Sequence, residues 1–582
     1  MNNIYSDILK VIIENKCNNQ RDIVKLSNYS LGKVNEAVSY FKINDYINDN
    51  FELKEKTYNL LENSRPNNAV ILAAGYGMRM IPINNEIPKG LIEINNEPLI
   101  ERIIRQLHDI GISNIYVVVG FMKEAYEYLI DSFNVELIYN PQYSICNNLY
   151  SLYCAEKYID KTYIVPCDIW LRNNPFSKFE LNSWYMVTDE LSEKNDFKVN
   201  KKRRLSLASG NEAGNFAIGL SYVDSDDSKY LRDKLSEYSK NSKYNSSFWE
   251  ECFVEKNQFL LPSKLVSMLS AYEINTIEDL REIDENSASL NSEVIKCASK
   301  ALNVPDNEIK DIQALKKGMT NRSFIFTCLD KKYIFRIPGK GTDSLINRNE
   351  EYSVYEVIRN LNICDDIVYI NPNNGYKITK YIENCRNCDP LNWSDVKSCM
   401  NKLKSFHNMG LQVNHTFDIF KNIEYYEKLR NCDSVYRDYE KTKENVFKLR
   451  EFIGEHKAKF VLTHIDAVPD NFIINGNDIR LIDWEYAGMQ DPHVDLAMFS
   501  IYSFYSKDQI DRLIDIYFDN GCDRTTRIKI YCYVAACGLL WSNWCEYKLS
   551  LGVEFGEYSI RQYRYAKEFY KIAVDEMRKL DE

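Results

Sequence analysis

Two groups of residues in this chain have the types and spacing to act on phosphate, and they lie nearly four hundred positions apart. The first is Leu72-Ala73-Ala74-Gly75-Tyr76-Gly77-Met78-Arg79, followed by Pro88-Lys89-Gly90-Leu91. Gly75 and Gly77 let backbone wrap closely around a triphosphate and aim amides at its oxygens. Arg79 can take phosphate oxygens in bidentate fashion, and Lys89 can offset charge on a reacting α-phosphate. The second group is His464-Ile465-Asp466, Asn471 and Ile482-Asp483-Trp484-Glu485. In an HxDxxxxN arrangement with a later Asp, Asp466 accepts a hydroxyl proton while Asn471 and Asp483 hold Mg²⁺ on the phosphates of ATP. Together the groups point to two consecutive phosphate-handling reactions.

The elements that must carry these groups can be read from periodicity. Ala69–Ala73 is a buried-strand run, Ile115–Val119 a second and Tyr163–Val165 a third ending at Cys167-Asp168, with a helical pattern over Leu99–Asp109 between. Strand, loop, helix, strand predicts an α/β open sheet with function at the carboxyl ends of its strands. Beyond Val294 the pattern is a short β-rich lobe followed by helices. At the amino terminus, Ile8, Leu9, Ile12 and Ile13 recur at helical spacing, Asn19 and Ser30 are candidate caps, and Tyr46–Leu53 alternates like a small hairpin. Polar stretches at Asn63–Asn68 and Asp284–Ser289 mark boundaries, giving domains over 1–63, 66–285 and 290–582.

Composition bounds the rest. A chain of 582 residues is too long for one core. The formal charge of −11 excludes a general polyanion binder. Sixteen cysteines are scattered with no paired CxxC clusters of zinc spacing, and the first residues lack a basic and apolar leader pattern. The apolar run around Tyr533 to Trp541 is far below the ~20 residues that span a bilayer. The expectation is a reduced, cytoplasmic protein without membrane insertion.

The longer context of each group resembles a known family. Residues 69–107 resemble the nucleoside-triphosphate transferase signature, with Asn84 where Thr is usual. Tyr139-Asn140-Pro141, Asn147-Asn148, Ser151-Leu152, Ser247-Phe248-Trp249-Glu250 and Tyr272–Leu280 resemble the cytidylyltransferases that act on phosphocholine, over about 68–284. This resemblance implies a Rossmann-like domain with a mixed sheet. It implies Mg²⁺ among Asp168, Glu273 and Asn275, the last replacing a family Asp, and pyrimidine contacts near Asn147, Asn148 and Ser151. It also implies an aromatic box for a quaternary ammonium with Trp184 and Phe248 as walls, beside Trp249 and Glu250, since such a cation is bound by ring faces.

Residues ~310–575 resemble the choline kinase and aminoglycoside phosphotransferase superfamily, which implies a bilobal, protein-kinase-like α+β fold. Lys317–Asn321 is similar to its phosphate loop with one glycine lost, placing Thr320 and Asn321 at ATP. Arg336 stands at the usual kinase Lys, Glu351 in Asn347-Arg348-Asn349-Glu350-Glu351 is its partner, and Asp491–Ala497 matches DPxxDLA. Trp541 and Trp544, one helix turn apart, match the family's cation cage, with Glu485 and Tyr486 at the same pocket. His464 and His407 read as structural, and Lys201–Arg204 as a solvated loop.

Residues 1–63 resemble a bacterial winged helix-turn-helix, with Leu31–Lys42 as its recognition helix. DNA is its expected partner, with protein docking as the alternative and a homodimer implied by paired half-sites. The expectation for the whole chain is phosphorylation of choline by ATP, then conversion of phosphocholine and CTP to CDP-choline. The alternatives are the same pair acting on ethanolamine or a sugar, and a DNA-binding regulator that senses choline metabolites.

Overall fold

The computed structural model describes residues 3–193, 195, 197–200, 204–208, 212–256, 258–315, 321–339, 342 and 345–581. Thr320 and most of its loop, with Lys201, Lys202 and Arg203, lie outside the described residues. The chain divides into two compact units, Met1–Cys297 with Ile312–Ala314, and Ala298–Asp311 with Leu315–Glu582. The division therefore falls beyond the polar segment Asp284–Ser289.

In the first unit, strand Asn68–Ala73 pairs in parallel with Asn114–Val119 on one side and Thr162–Pro166 on the other. Its residues 69–73 are buried, as an unbroken apolar run flanked by parallel neighbours requires. Glu136–Tyr139 extends the parallel side. Gly214–Val223 then pairs antiparallel to Thr162–Pro166, so the sheet is mixed. Trp184–Ser192 joins antiparallel to Gly214–Val223 and parallel to Gln258–Val266. Helix Leu99–Asp109 covers one face with Leu99, Ile100, Ile103, Ile104 and Leu107, an apolar stripe at helical spacing.

The amino-terminal residues fold as helices Asn3–Glu14, Gln20–Ser27 and Leu31–Ile43 around Ile8, Leu9, Ile23, Val34, Val38 and Phe41. Asn19 caps the second helix by accepting from the amides of Arg21 and Asp22. Ser30 stands at the start of the third without a side-chain bond. The expected hairpin reduces to one antiparallel bridge, Ile47 to Leu53, and a fourth helix, Glu55–Asn63, follows. These helices are fastened to the sheet domain of the same unit. Lys10 Nζ lies 3.0 Å from Glu180 Oε2, Glu180 Oε1 accepts from Tyr163 at 2.8 Å, and Leu181 packs on the helical core.

In the second unit, strands Asn321–Cys328, Lys331–Pro338, Lys377–Lys380 and Ile367–Ile370 form an antiparallel array in that order. Helix Arg348–Ile358 accompanies them, and a mostly helical lobe follows. The lobe is built around Arg524–Ser550, buried on every side from Ile528 to Lys548, as a central helix must be. Gly538 allows the last helix, Glu557–Asp581, to approach: a Cβ there would lie 2.8 Å from the Gln562 carbonyl and 2.9 Å from the Ala566 amide. Gly538→Val is therefore expected to cost about 1–3 kcal/mol by overpacking. Urea unfolding of the full chain followed by tryptophan fluorescence checks this, and an unchanged midpoint would contradict the helix contact.

Candidate active sites

The glycine loop of the first unit leaves strand Asn68–Ala73 at its carboxyl end and borders a cavity of about 1040 Å³. Ala73, Ala74, Gly75, Gly77, Arg79 and Lys89 line it. Gly77 has φ +59°, a conformation that favours glycine, whereas a Cβ at Gly75 would meet no protein atom within 4 Å. The bare backbone at Gly75 thus leaves room for a ligand. Asn84 holds the turn from behind, its amide donating to the carbonyls of Tyr76 at 2.9 Å and Gly77 at 3.0 Å. The position that departs from the expected Thr thus has a defined role.

Against the loop, Lys89 Nζ lies 2.5 Å from Asp168 Oδ2 and donates to Asn275 Oδ1 at 2.9 Å. Strand Ala271–Glu273 pairs with Ile169–Leu171, and the Ile274 amide donates to the Asp168 carbonyl, which brings Asp168, Glu273 and Asn275 together. Burial, and then the Asp168 charge, raises the Glu273 carboxyl above its ordinary range. Asn147, Asn148 and Ser151 line the cavity and are also held internally. Asn147 Oδ1 accepts from the Asn148 amide, Asn148 Oδ1 from the Trp249 amide, and Ser151 Oγ from Asn140.

Phe248, Trp249 and Glu250 line the same cavity; Trp184 does not. Trp184 and Tyr185 are successive residues of one strand and face opposite sides of the sheet. Trp184 packs with Tyr163 and Tyr222 in the core beneath helix Leu99–Asp109, with Lys264 Nζ 3.9 Å from its ring. Tyr185 takes the cavity side and donates to Glu250 Oε1 at 3.1 Å. Burial holds the Glu250 carboxyl up at about 7. Tyr238 and Tyr244, stacked 4.0 Å apart, add to the aromatic lining, as do Tyr76, Tyr126, Tyr143 and Phe197. Sequence reading missed Tyr185, Tyr238 and Tyr244; only the strand phase could have shown the first, and nothing local marks the other two.

In the second unit, the catalytic loop is shaped by Asp495 of the Asp491–Ala497 stretch. Its carboxylate accepts from the His464 amide at 3.0 Å and the Ile465 amide at 2.7 Å, and Ile465 has φ +71°. His407 bridges Asp495 and the Tyr517 hydroxyl at 3.0 and 2.8 Å. His464 bonds the Ile482 carbonyl at 2.9 Å, and burial keeps it neutral. Asn471 Nδ2 donates to Asp466 Oδ2 at 3.1 Å and to the Asp466 carbonyl at 2.8 Å. Burial, then the charges of Asp483 and Glu485, push the Asp466 carboxyl up to about 8.

Arg336 grips Glu351 through two hydrogen bonds of 2.5 and 2.9 Å, both side chains being buried. Burial opposes ionisation of Glu351, yet the Arg336 charge brings its carboxyl down to about 2. Arg348, present in the motif but not singled out there, also binds Glu351 at 2.9 Å and Glu485 at 3.3 Å. Asn321 donates to Glu485 at 2.8 Å. Glu485 therefore sits in the arginine network rather than free in an amine pocket.

Its neighbour Tyr486 meets Trp541 edge-on at 5.4 Å between centroids, and Trp541 meets Trp544 at 5.5 Å. Phe555 adds a fourth ring 5.0 Å from Trp544. The Trp541 indole donates to Met498 Sδ at 3.0 Å, and Lys548 Nζ stands 5.6 Å from the Trp544 ring. The two indoles and the phenol form one aromatic cluster, with Asp466 close enough for its charge to act on Tyr486.

Known protein families resemble parts of each unit. The MobA-like NTP transferase domain family matches residues 69–177, and the choline/ethanolamine kinase family matches residues 312–519. A choline-phosphate cytidylyltransferase of Streptococcus pneumoniae is 28% identical over 231 residues, 37% of this chain and 96% of that protein. A 2-aminoethylphosphonate cytidylyltransferase of Lancefieldella rimae is 28% identical over 228 residues, 38% of this chain and 92% of that protein. The crystal structure of a choline kinase from Streptococcus pneumoniae covers 48% of this chain and 98% of its own, at 28% identity and a TM-score of 0.43. A single chain therefore joins a nucleotidyltransferase domain of the cytidylyltransferase kind to a choline kinase-type domain.

Proposed function

We propose that the protein phosphorylates choline with ATP and then couples phosphocholine to CTP, giving CDP-choline and pyrophosphate. The observation that carries this is the Tyr486–Trp541–Trp544 cluster beside Asp466, in a chain whose other unit has a cytidylyltransferase-type pocket with its own aromatic wall. Two sites built to surround a quaternary ammonium suit one group passing through two reactions.

In the kinase unit, Asp466 takes the choline hydroxyl proton as its oxygen attacks the γ-phosphorus of ATP, and ADP leaves. Arg336, held by Glu351, and Asn321 face the ATP phosphates. In the transferase unit a phosphocholine oxygen attacks the α-phosphorus of CTP and pyrophosphate departs. Arg79 and the loop amides hold the phosphates, and Lys89 offsets charge at the α-phosphate. Asn147, Asn148 and Ser151 face the pyrimidine. Phe248, Trp249, Tyr185 and Glu250 receive the choline end.

The donor sets fit Mg²⁺, which prefers oxygen ligands. Lys89 already draws a carboxylate oxygen of Asp168 and the carboxamide oxygen of Asn275 onto one positive centre. Asp168, Glu273 and Asn275 would hold the ion in one unit, and Asn471 and Asp483 in the other. When bound, it neutralises phosphate charge.

The 2-aminoethylphosphonate relative, as similar as the phosphocholine one, supplies a rival substrate class for the transferase. Residues 1–63 are read as a winged helix-turn-helix that binds DNA. Lys33 is available on the third helix, its Nζ 5.4 Å from the Tyr29 ring. Among the described residues no helix is long and apolar enough to cross a membrane. A cytoplasmic enzyme, dimeric when on DNA, fits these features.

Incubation with choline, ATP, CTP and Mg²⁺, products followed by mass, should yield phosphocholine and CDP-choline. Asp466→Asn should abolish the first product yet leave CDP-choline formation from added phosphocholine, and Asp168→Ala should do the reverse. Loss of both activities in either folded variant would overturn the two-site assignment, and preference for 2-aminoethylphosphonate over phosphocholine would overturn the substrate.

Trp541→Ala or Trp544→Ala should raise KM for choline by the equivalent of about 0.5–2 kcal/mol of lost cation–π contact, and ethanolamine should suffer less. Equal losses for both amines would remove the cage.

Asp466 also ties activity to stability. In the fold without metal or nucleotide its proton stays bound up to about pH 8. The unfolded chain releases that proton near pH ~4, so between these values the unfolded state binds fewer protons and rising pH weakens the fold. Metal-free Asp466→Asn should therefore melt higher than the wild type at pH 8, with the gap closing toward pH 4. A gap independent of pH would refute the perturbed carboxyl.

Lys33→Glu should weaken salt-sensitive retention of genomic DNA fragments. No retention of any fragment at low salt, with the domain folded, would move this domain to the protein-docking class.

A further inference from the structure

We propose that Lys89 is the resident cation of the empty transferase site. Its ammonium holds the oxygens that a divalent ion needs, so the ion enters together with the nucleotide and not before it. This rests on reading the cavity as a CTP-dependent transferase site, and adds an order of assembly to it.

Three observations carry the inference. The first is geometric: Lys89 Nζ is 2.5 Å from Asp168 Oδ2 and 2.9 Å from Asn275 Oδ1, with both Lys89 and Asp168 side chains less than a fifth exposed. Those oxygens are fixed in advance. The Ile274 amide donates to the Asp168 carbonyl at 2.8 Å, and Asp279 accepts from the Asn275 amide at 2.8 Å. A rigid oxygen pair closed on an ammonium is a cation site with its cation supplied by the chain.

The second is charge balance. Glu273 and Asp168 are the acids facing Lys89, the nearby Asp279 being engaged by the Asn275 and Thr276 amides, and Lys89 and Arg79 are the cations acting on Glu273. Two negative charges thus face two positive ones, because Asn275 supplies a carboxamide instead of a third carboxylate. A bare divalent ion would enter a site with no net negative charge to attract it. An ion accompanied by a triphosphate brings the missing anions, and the same phosphates give the displaced ammonium a new partner.

The third is reach. Lys89 lies against the glycine loop, a Cβ at Gly77 falling 3.3 Å from Lys89 Cβ, so its stem begins at the wall that faces the phosphates. A flexible four-carbon side chain rooted there can turn from the acids to an α-phosphate without movement of backbone.

The test is Mn²⁺ binding by electron paramagnetic resonance on the full chain, with Asp483→Asn throughout to silence the kinase-side ion site. Without nucleotide, adding Lys89→Met should tighten Mn²⁺ binding at least about tenfold, since a positive charge is removed from beside the ligands. With a non-hydrolysable CTP analogue the two proteins should differ far less. Lys89→Gln serves if the methionine variant does not fold. Equal Mn²⁺ affinity with and without Lys89, or tight binding of Mn²⁺ alone when Lys89 is present, overturns the proposal. The measurement involves no turnover, so its result is separate from whether phosphocholine is the substrate.

Discussion

The buried Arg336–Glu351 ion pair is the interaction on which the carboxyl-terminal site depends. Arg336 sits on strand Lys331–Pro338 and Glu351 in helix Arg348–Ile358, so the pair fixes sheet and helix relative to one another. Neither charge can be removed singly without leaving the other unpaired in low dielectric, a loss of about 3–5 kcal/mol in comparable pairs. Arg348 adds a second cation to Glu351 and carries the network to Glu485, and Asn321 reaches Glu485 from the neighbouring strand. Each arginine of this network is paired with a buried acid, so positive charge is held in place without a ligand.

The amino-terminal unit solves the same problem with a lysine. Lys89 rests on Asp168 and Asn275, and Arg79 acts on Glu273 from the glycine loop. The two devices differ in mobility. Arg336 is held by two parallel bonds in a planar fork, whereas Lys89 is a point charge on a flexible stem. The first suits a residue that stays in place, the second one that changes partners.

Left-handed backbone occurs where two carboxylates of the candidate kinase site are presented. Ile465, a β-branched residue, has φ +71°, and Asp483 has φ +67°, so Asp466 adjoins and Asp483 occupies left-handed backbone. Such conformations persist only when their surroundings over-determine them. Asp495 does this by accepting the amides of His464 and Ile465, and it is itself aligned by His407 and Tyr517. Asp495 thus sets the backbone geometry that presents Asp466.

Much of the chemistry was legible in the chain because phosphate loops are contiguous. Gly75, Gly77 and Arg79 must lie within a few residues to curl backbone around phosphate, and Asp466 and Asn471 share one turn; local sequence therefore determined these groups, the strands leading into them and the mixed α/β character. Choices that depend on which way a face points were left to tertiary structure. Trp184 and Tyr185 are equally aromatic, and only the phase of their strand between two packed layers assigns the first to the core and the second to the cavity. Tyr238 and Tyr244 reach the same cavity from a helix and the turn after it, with no spacing rule linking them to the glycine loop. Glu485 reads as a ligand for an amine until Arg348 and Asn321 are seen to meet it across more than a hundred residues. Sequence specified which groups can do the chemistry, because that is a matter of side-chain type and short-range backbone geometry. Which partner each group holds while the site is empty was decided by the fold, because charge pairing acts through space and only packing brings those charges together.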